Sequence, residues 1–95
     1  MREQVIRDAE SRYNVLMHEL SEQDVVNDGL AGSHINMTDE LIMWRNHFNG
    51  DVTEEMEMIY TNHLMARITT TLVYNGYALI HEVIDDNYII AISER

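Results

Sequence analysis

Apolar residues recur every three or four positions at the start of the chain: Val5, Ile6, Ala9, Tyr13, Leu16, Met17 and Leu20. That period predicts an amphipathic helix over residues 3–20. Its polar side sets Glu3 before Arg7 and Asp8 before Arg12, the favourable order at four-residue spacing. Ser21 with Asp24 three places on has the form of a capping box, which predicts a second, short helix over 22–28 ending at Gly29. The run GLAGSHIN has no period, so 29–37 reads as a loop. Thr38 then predicts the cap of a helix over 39–48, with Leu41, Trp44, Arg45 and Phe48 on one side and Asn49-Gly50 as its stop. Asp51, with Glu54 at the capping-box position, predicts a helix over 52–66, whose inner face carries Val52, Met56, Ile59, Tyr60 and His63.

The carboxyl third changes period. Residues 77–84 and 88–93 alternate at period two around Asp85-Asp86-Asn87, which predicts a β-hairpin. The stretch before it, 68–74, admits two readings. It can continue the preceding helix with Gly76 as its cap, or form a strand. Three consecutive threonines beside Ile68 and Val73 disfavour helix, and Asn75-Gly76 is a strong hairpin signal, so the strand is the expectation. The fold class predicted is α+β: helices packed on a C-terminal antiparallel meander or hairpin, in one domain over 1–95. The hairpin is apolar on both faces, yet helices can cover only one. A homodimer is therefore expected, with Ile80, Ile84, Ile89, Ile90 and Ile92 at the interface.

Charge adds more than composition does. The chain carries 17 acids against 6 bases, all arginine, for a formal net charge of −11. Residues 19–57 hold ten of those acids against Arg45 alone. An anionic surface of this kind repels nucleic acid, whose binding needs Lys or Arg on the phosphates. The order of elements from residue 38 onward resembles that of winged-helix proteins. The helix that would read DNA, however, is DVTEEMEMIYTNHLMAR, with four acids before its first base. Direct nucleic-acid binding is not expected.

Chemistry is sparse. The histidines His18 and His81 each begin a His-Glu pair, but neither completes the H-E-x-x-H spacing that sets two imidazoles one turn apart. No serine sits in a nucleophile elbow, and Gly29-Leu30-Ala31-Gly32-Ser33 lacks the lysine and spacing of a phosphate loop. The expectation is no enzyme, no metal and no cofactor. No cysteine is present and no apolar run approaches a bilayer span. The opening MREQVIRDAE is charged from its second residue and does not read as a leader, so the expected location is the cytoplasm.

What remains is a binding surface. The predicted partner-binding residues are Glu22, Asp24, Asp28, Asp39, Glu40, Glu54, Glu55 and Glu57. Trp44, Met43 and Met58 are expected to supply short-range apolar contact. The partner implied is a basic protein that handles nucleic acid, attracted by field and held by complementarity. In size and composition the chain resembles the small acidic inhibitors that phages make against restriction and CRISPR enzymes, although no motif carries that likeness. Two other readings stand beside it. One is a homo-oligomeric scaffold or sequestering regulator; the other is a small-molecule binder at an oligomer interface, using Arg67, Tyr74, Tyr77 and Tyr88.

Overall fold

The computed structural model describes all 95 residues. The order of elements is α1 (Arg2–Asn27), β1 (His34–Asn36), α2 (Met37–His47), α3 (Glu54–Tyr74), β2 (Tyr77–Ile84) and β3 (Asn87–Glu94). Three helices form one layer and an antiparallel sheet of order β1-β3-β2 forms the other. The fold is α+β, as the pattern predicts, but several elements differ from expectation in extent or kind.

Helix α1 does not break at Ser21. No Gly or Pro separates Leu20 from Asp24, so nothing ends the first helix and the Ser21–Asp24 spacing falls inside it. It stops where Asp28 turns left-handed (φ 53°), with the Gly29 N–H donating to the Asp24 carbonyl at 3.0 Å. Within the predicted loop, Ile35 faces the core beside Ile90, which makes 34–36 a short edge strand. Helix α2 begins two residues earlier than predicted. Its cap is Asn36, whose Oδ1 accepts from the Asp39 N–H at 3.1 Å. Thr38 instead accepts from the Tyr88 N–H at 2.9 Å and ties α2 to β3.

The largest correction concerns 68–74, which is helix and not strand. Thr53, rather than Asp51, caps α3 by accepting from the Met56 N–H at 3.2 Å. From there Met56, Tyr60, Leu64, Ile68 and Leu72 recur every fourth residue, and all five are buried. Tertiary burial of that stripe outweighs the few tenths of a kcal/mol that each threonine loses in a helix. Thr71 also shares a hydrogen bond with the Tyr13 hydroxyl of α1. Asn75-Gly76 therefore closes a helix, and the two-residue hairpin turn is Asp85-Asp86, both at positive φ.

Packing fixes the directions of the helices. Arg2 and Ile6 line one groove with Glu55 and Ile59, while Tyr13 and Leu20 line another with Thr71 and Leu72, so α1 and α3 run parallel. Helix α2 runs against both. Trp44 stacks on Tyr60 at 4.5 Å, and Met37 and Leu41 meet Met65. On the sheet, cross-strand neighbours share a face. Ile35, Leu79, Ile90 and Ile92 turn toward the helices; Ile80, Glu82, Ile84, Ile89 and Ala91 turn away. One core of 16 buried apolar residues lies between the layers.

Candidate partner-binding surfaces

Ten carboxylates between Glu19 and Glu57 were the expected anionic surface, and the helices divide them. Glu40 is buried. Both its oxygens are taken by Arg12, with the Arg12 Nη2–Oε2 bond at 2.9 Å. That contact is the main reason the Arg12 pKa is raised. Glu57 is half-buried and held by Arg45. Neither is free for a partner. The remaining eight, Glu19, Glu22, Asp24, Asp28, Asp39, Asp51, Glu54 and Glu55, are exposed.

These eight form two separate groups. Asp51, Glu54 and Glu55 lie at the start of α3, and Glu55 lines a groove with Arg2. Glu19, Glu22, Asp24 and Asp28 follow the last turns of α1, and Asp39 stands across a groove from Glu19 and Gln23. Because α1 and α3 are parallel, the groups sit at opposite ends of the helical layer. Glu22 is some eighteen residues along α1 from the level of Glu55, about 27 Å at 1.5 Å per residue. That is roughly three Debye lengths at physiological salt, so the two groups act as separate fields.

The end of α1 is the stronger of the two. Every residue from Ser21 to Asp28 is exposed. No side chain of this stretch is buried, although Ser21 and Asp24 border a groove with Asn75 and Tyr77, and Gln23 borders another with His34 and Asn36. Arg12 lies 3.8 Å from Glu19 but is committed to Glu40, and His18 sits 3.0 Å from Glu22. Between these acids project Val25 and Val26, each 82% exposed. Sequence reasoning missed this pair. The signal was available: both valines fall off the stripe that ends at Leu20, inside a polar run.

Of the three apolar residues expected to make contact, Met58 and Met43 are exposed and Trp44 is not. Trp44 is buried: it stacks on Tyr60, and its indole N–H donates to Asp8 Oδ2 at 3.0 Å. Its place beside Leu41 and Phe48 on the inward side of α2 accounts for this. Met58 is well exposed and Met43 less so, whereas Met37 and Met56 lie in the core. Of the five isoleucines expected at an oligomer interface, Ile90 and Ile92 are core residues, because even positions of β3 face the helices. Ile80 and Ile84 are about half exposed on the outer face, and Ile89 lies there between β1 and β2.

Comparison with protein-family models, curated proteins and solved structures found no match.

Two further groups of polar residues bridge the helices. Glu10 accepts from His63 Nε2 at 2.8 Å and lies 2.8 Å from Arg67 Nε, while Arg67 also covers the Tyr13 ring at 4.3 Å. The His63 hydrogen bond, assisted by Arg67 and opposed by burial, lowers the Glu10 pKa. Burial, with the neighbouring Glu40 charge, pushes Tyr60 up to about 12. Both groups bridge helices and neither opens onto an enclosed cavity. Arg67, Tyr74, Tyr77 and Tyr88 do not converge. Tyr74 is exposed, the Tyr77 hydroxyl accepts from the Leu30 N–H at 3.4 Å, and Tyr88 pairs with His81. No helix is long and apolar enough to cross a membrane.

Proposed function

We propose that this protein works by binding a basic surface of a partner protein through the end of α1 and the adjoining first turn of α2. The observation that carries the reading is the exposure of the last turns of α1. Four exposed carboxylates, Glu19, Glu22, Asp24 and Asp28, share the last turns of α1 with an exposed valine pair, Asp39 stands across a groove from Glu19, and no uncommitted arginine lies among them. The acids steer a cationic partner at long range, and Val25 and Val26 provide desolvated contact at short range. A basic groove of this kind ordinarily holds nucleic acid, so the protein acts as a competitor for that groove and an inhibitor of its owner. It acts in the cytoplasm, in the manner of an anti-defence protein, and carries out no catalysis of its own.

The test is capture followed by competition. The immobilised chain is exposed to nuclease-treated extract of the cells in which it acts, at about 50 mM salt, where screening is weak. Captured protein is then bound to labelled DNA or RNA, and displacement by the free chain is followed by fluorescence anisotropy. The expected result is displacement that weakens at least tenfold in Asp24→Lys/Asp28→Lys and in Val25→Ser/Val26→Ser. A partner that keeps its nucleic acid, or that is held equally well by the charge-reversed chain, overturns the reading.

A further inference from the structure

We propose that the groove between the last turns of α1 and α3 binds a small organic ammonium, an amine that carries an apolar body. This goes beyond the reading of the α1 end as a partner surface and does not depend on it, since neither Val25 nor Val26 lines the groove.

The spacing of α1 builds one wall. Tyr13, Met17, Leu20 and Asp24 follow at three or four residues, so Asp24 stands one turn beyond Leu20 on the same face. Thr71, Leu72 and Asn75 of α3 form the opposite wall. Leu30 and Tyr77, which follow the two helices, meet at the end, where the Tyr77 hydroxyl accepts from the Leu30 N–H at 3.4 Å. The space between is about 520 Å³. That falls within the range of about 300–1,000 Å³ usual for small-molecule sites. Its floor is apolar, because Leu20, Leu30 and Leu72 are buried beneath it.

The polar groups left around that floor accept. Asn75 commits its Nδ2 to the Thr71 carbonyl at 2.7 Å, which leaves its Oδ1 as an acceptor. The Tyr13 and Thr71 hydroxyls share a hydrogen bond with each other. Asp24 presents an exposed carboxylate and is the one charged residue of the lining; no arginine or histidine joins it. Arg67 lies one turn of α3 before Thr71, but it is held 2.8 Å from Glu10 and over the Tyr13 ring.

The backbone adds to this charge. Helices α1 and α3 are parallel, so their carbonyl ends gather here, each equivalent to about half a negative charge. Lys, Arg or His in the last turn usually offsets that charge, and neither helix has one. An ammonium between Asp24 and the Asn75 Oδ1 supplies the missing cation, while its apolar body covers the leucines. A bare divalent ion does not fit, because it needs several converging oxygens and the leucine floor offers none. The net charge of −11 favours the approach of a cation from a distance.

Proton–nitrogen correlation NMR of the full chain, titrated with phenethylammonium, tests the proposal. Shifts should saturate and centre on the amides of Leu20 to Asp24, Leu30 and Thr71 to Tyr77. Phenethyl alcohol, the uncharged analogue, and acetyl-lysine amide, which lacks the aryl body, should each bind at least tenfold more weakly. Asp24→Asn should weaken the amine about tenfold, the loss of one charge-assisted hydrogen bond, and leave the alcohol unchanged. Asp28→Asn, just past the helix and outside the groove, should leave the amine unchanged; thermal melts check that both variants are folded. Shifts that never saturate, equal binding of the alcohol or of the lysine amide, or equal losses in the two variants, which would mark diffuse attraction to charge, each overturn the proposal. No partner protein enters the titration, so its outcome is separate from that of the capture experiment.

Discussion

Arg12 and Glu40 grip each other across 28 residues of sequence, joining the middle of α1 to the first turn of α2. Glu40 is the one charged residue buried in the protein. Its carboxylate is removed from water and compensated chiefly by a single guanidinium. Truncating Arg12 leaves that charge without its partner, which is more damaging than losing both together. Arg12→Ala should lower stability by about 3 kcal/mol, read from urea unfolding at neutral pH. Arg12→Leu/Glu40→Leu should recover most of the loss. If the double variant is the worse of the two, the pair is a net stabiliser and not merely a satisfied burial.

Two groups give stability a dependence on pH, at opposite ends of the scale. The folded Glu10 pKa lies below its ordinary 4.5, so its contribution is complete above that value. It is lost as pH falls through the lower folded pKa. Glu10→Gln should therefore be less stable than wild type at neutral pH, with the gap closing below about pH 4.5. Tyr60 behaves in the reverse sense. Its folded pKa is raised from 10.0 to about 12, so its contribution is present below pH 10 and lost as pH rises toward 12. Tyr60→Phe should flatten the alkaline limb of the stability curve, and ultraviolet titration should show one tyrosine ionising late.

Trp44 is the sole tryptophan and it is buried against Tyr60. Its emission should be blue-shifted in the native protein, resist acrylamide quenching, and move to the red on unfolding. Trp44→Ala should lower stability by about 3–5 kcal/mol, as truncation of large core aromatics does. A solvent-like emission maximum in the folded protein would return Trp44 to the surface, where the partner-binding expectation had placed it.

Thr70 distinguishes helix from strand at the disputed end of α3. It is exposed in the helix interior. Thr70→Ala should raise stability by about 0.5 kcal/mol, the difference in helix propensity. In a strand the same change would lower it, because β-branching is favoured there.

The sequence disclosed the parts of this fold that rest on a repeated pattern. The stripe from Val5 to Leu20 and the alternation of 77–84 and 88–93 are each enforced by one buried face, so period and structure agree. At 68–74 two local signals, the threonine run and Asn75-Gly76, outvoted a stripe legible from Met56 to Leu72; long-range burial decided in favour of the stripe. The strand at 34–36 was out of reach, because three residues are too few to show a period and their partner is 55 positions away. The acids were counted correctly but could not be placed. Their division into two ends follows from α1 and α3 being parallel, a tertiary fact, and the burial of Glu40 follows from its meeting with Arg12. Val25 and Val26 were legible as residues off the stripe; their exposure required knowing that the last two turns of α1 bury no side chain.

The end of the buried stripe at Leu20 gives a single helix two thermodynamic halves. Up to Leu20, each backbone hydrogen bond of α1 opens only if the packing against α3 gives way. Beyond it no side chain is buried until Leu30, past the Asp28 cap, returns to the core, so the bonds there are held chiefly by helix propensity and that cap. Amide protons from Glu22 to Asn27 should exchange orders of magnitude faster than those beside Ala9 and Tyr13, along one uninterrupted backbone. Any partner that grips the tip must freeze that fraying, so its arrival should be visible as slowed exchange confined to the last two turns.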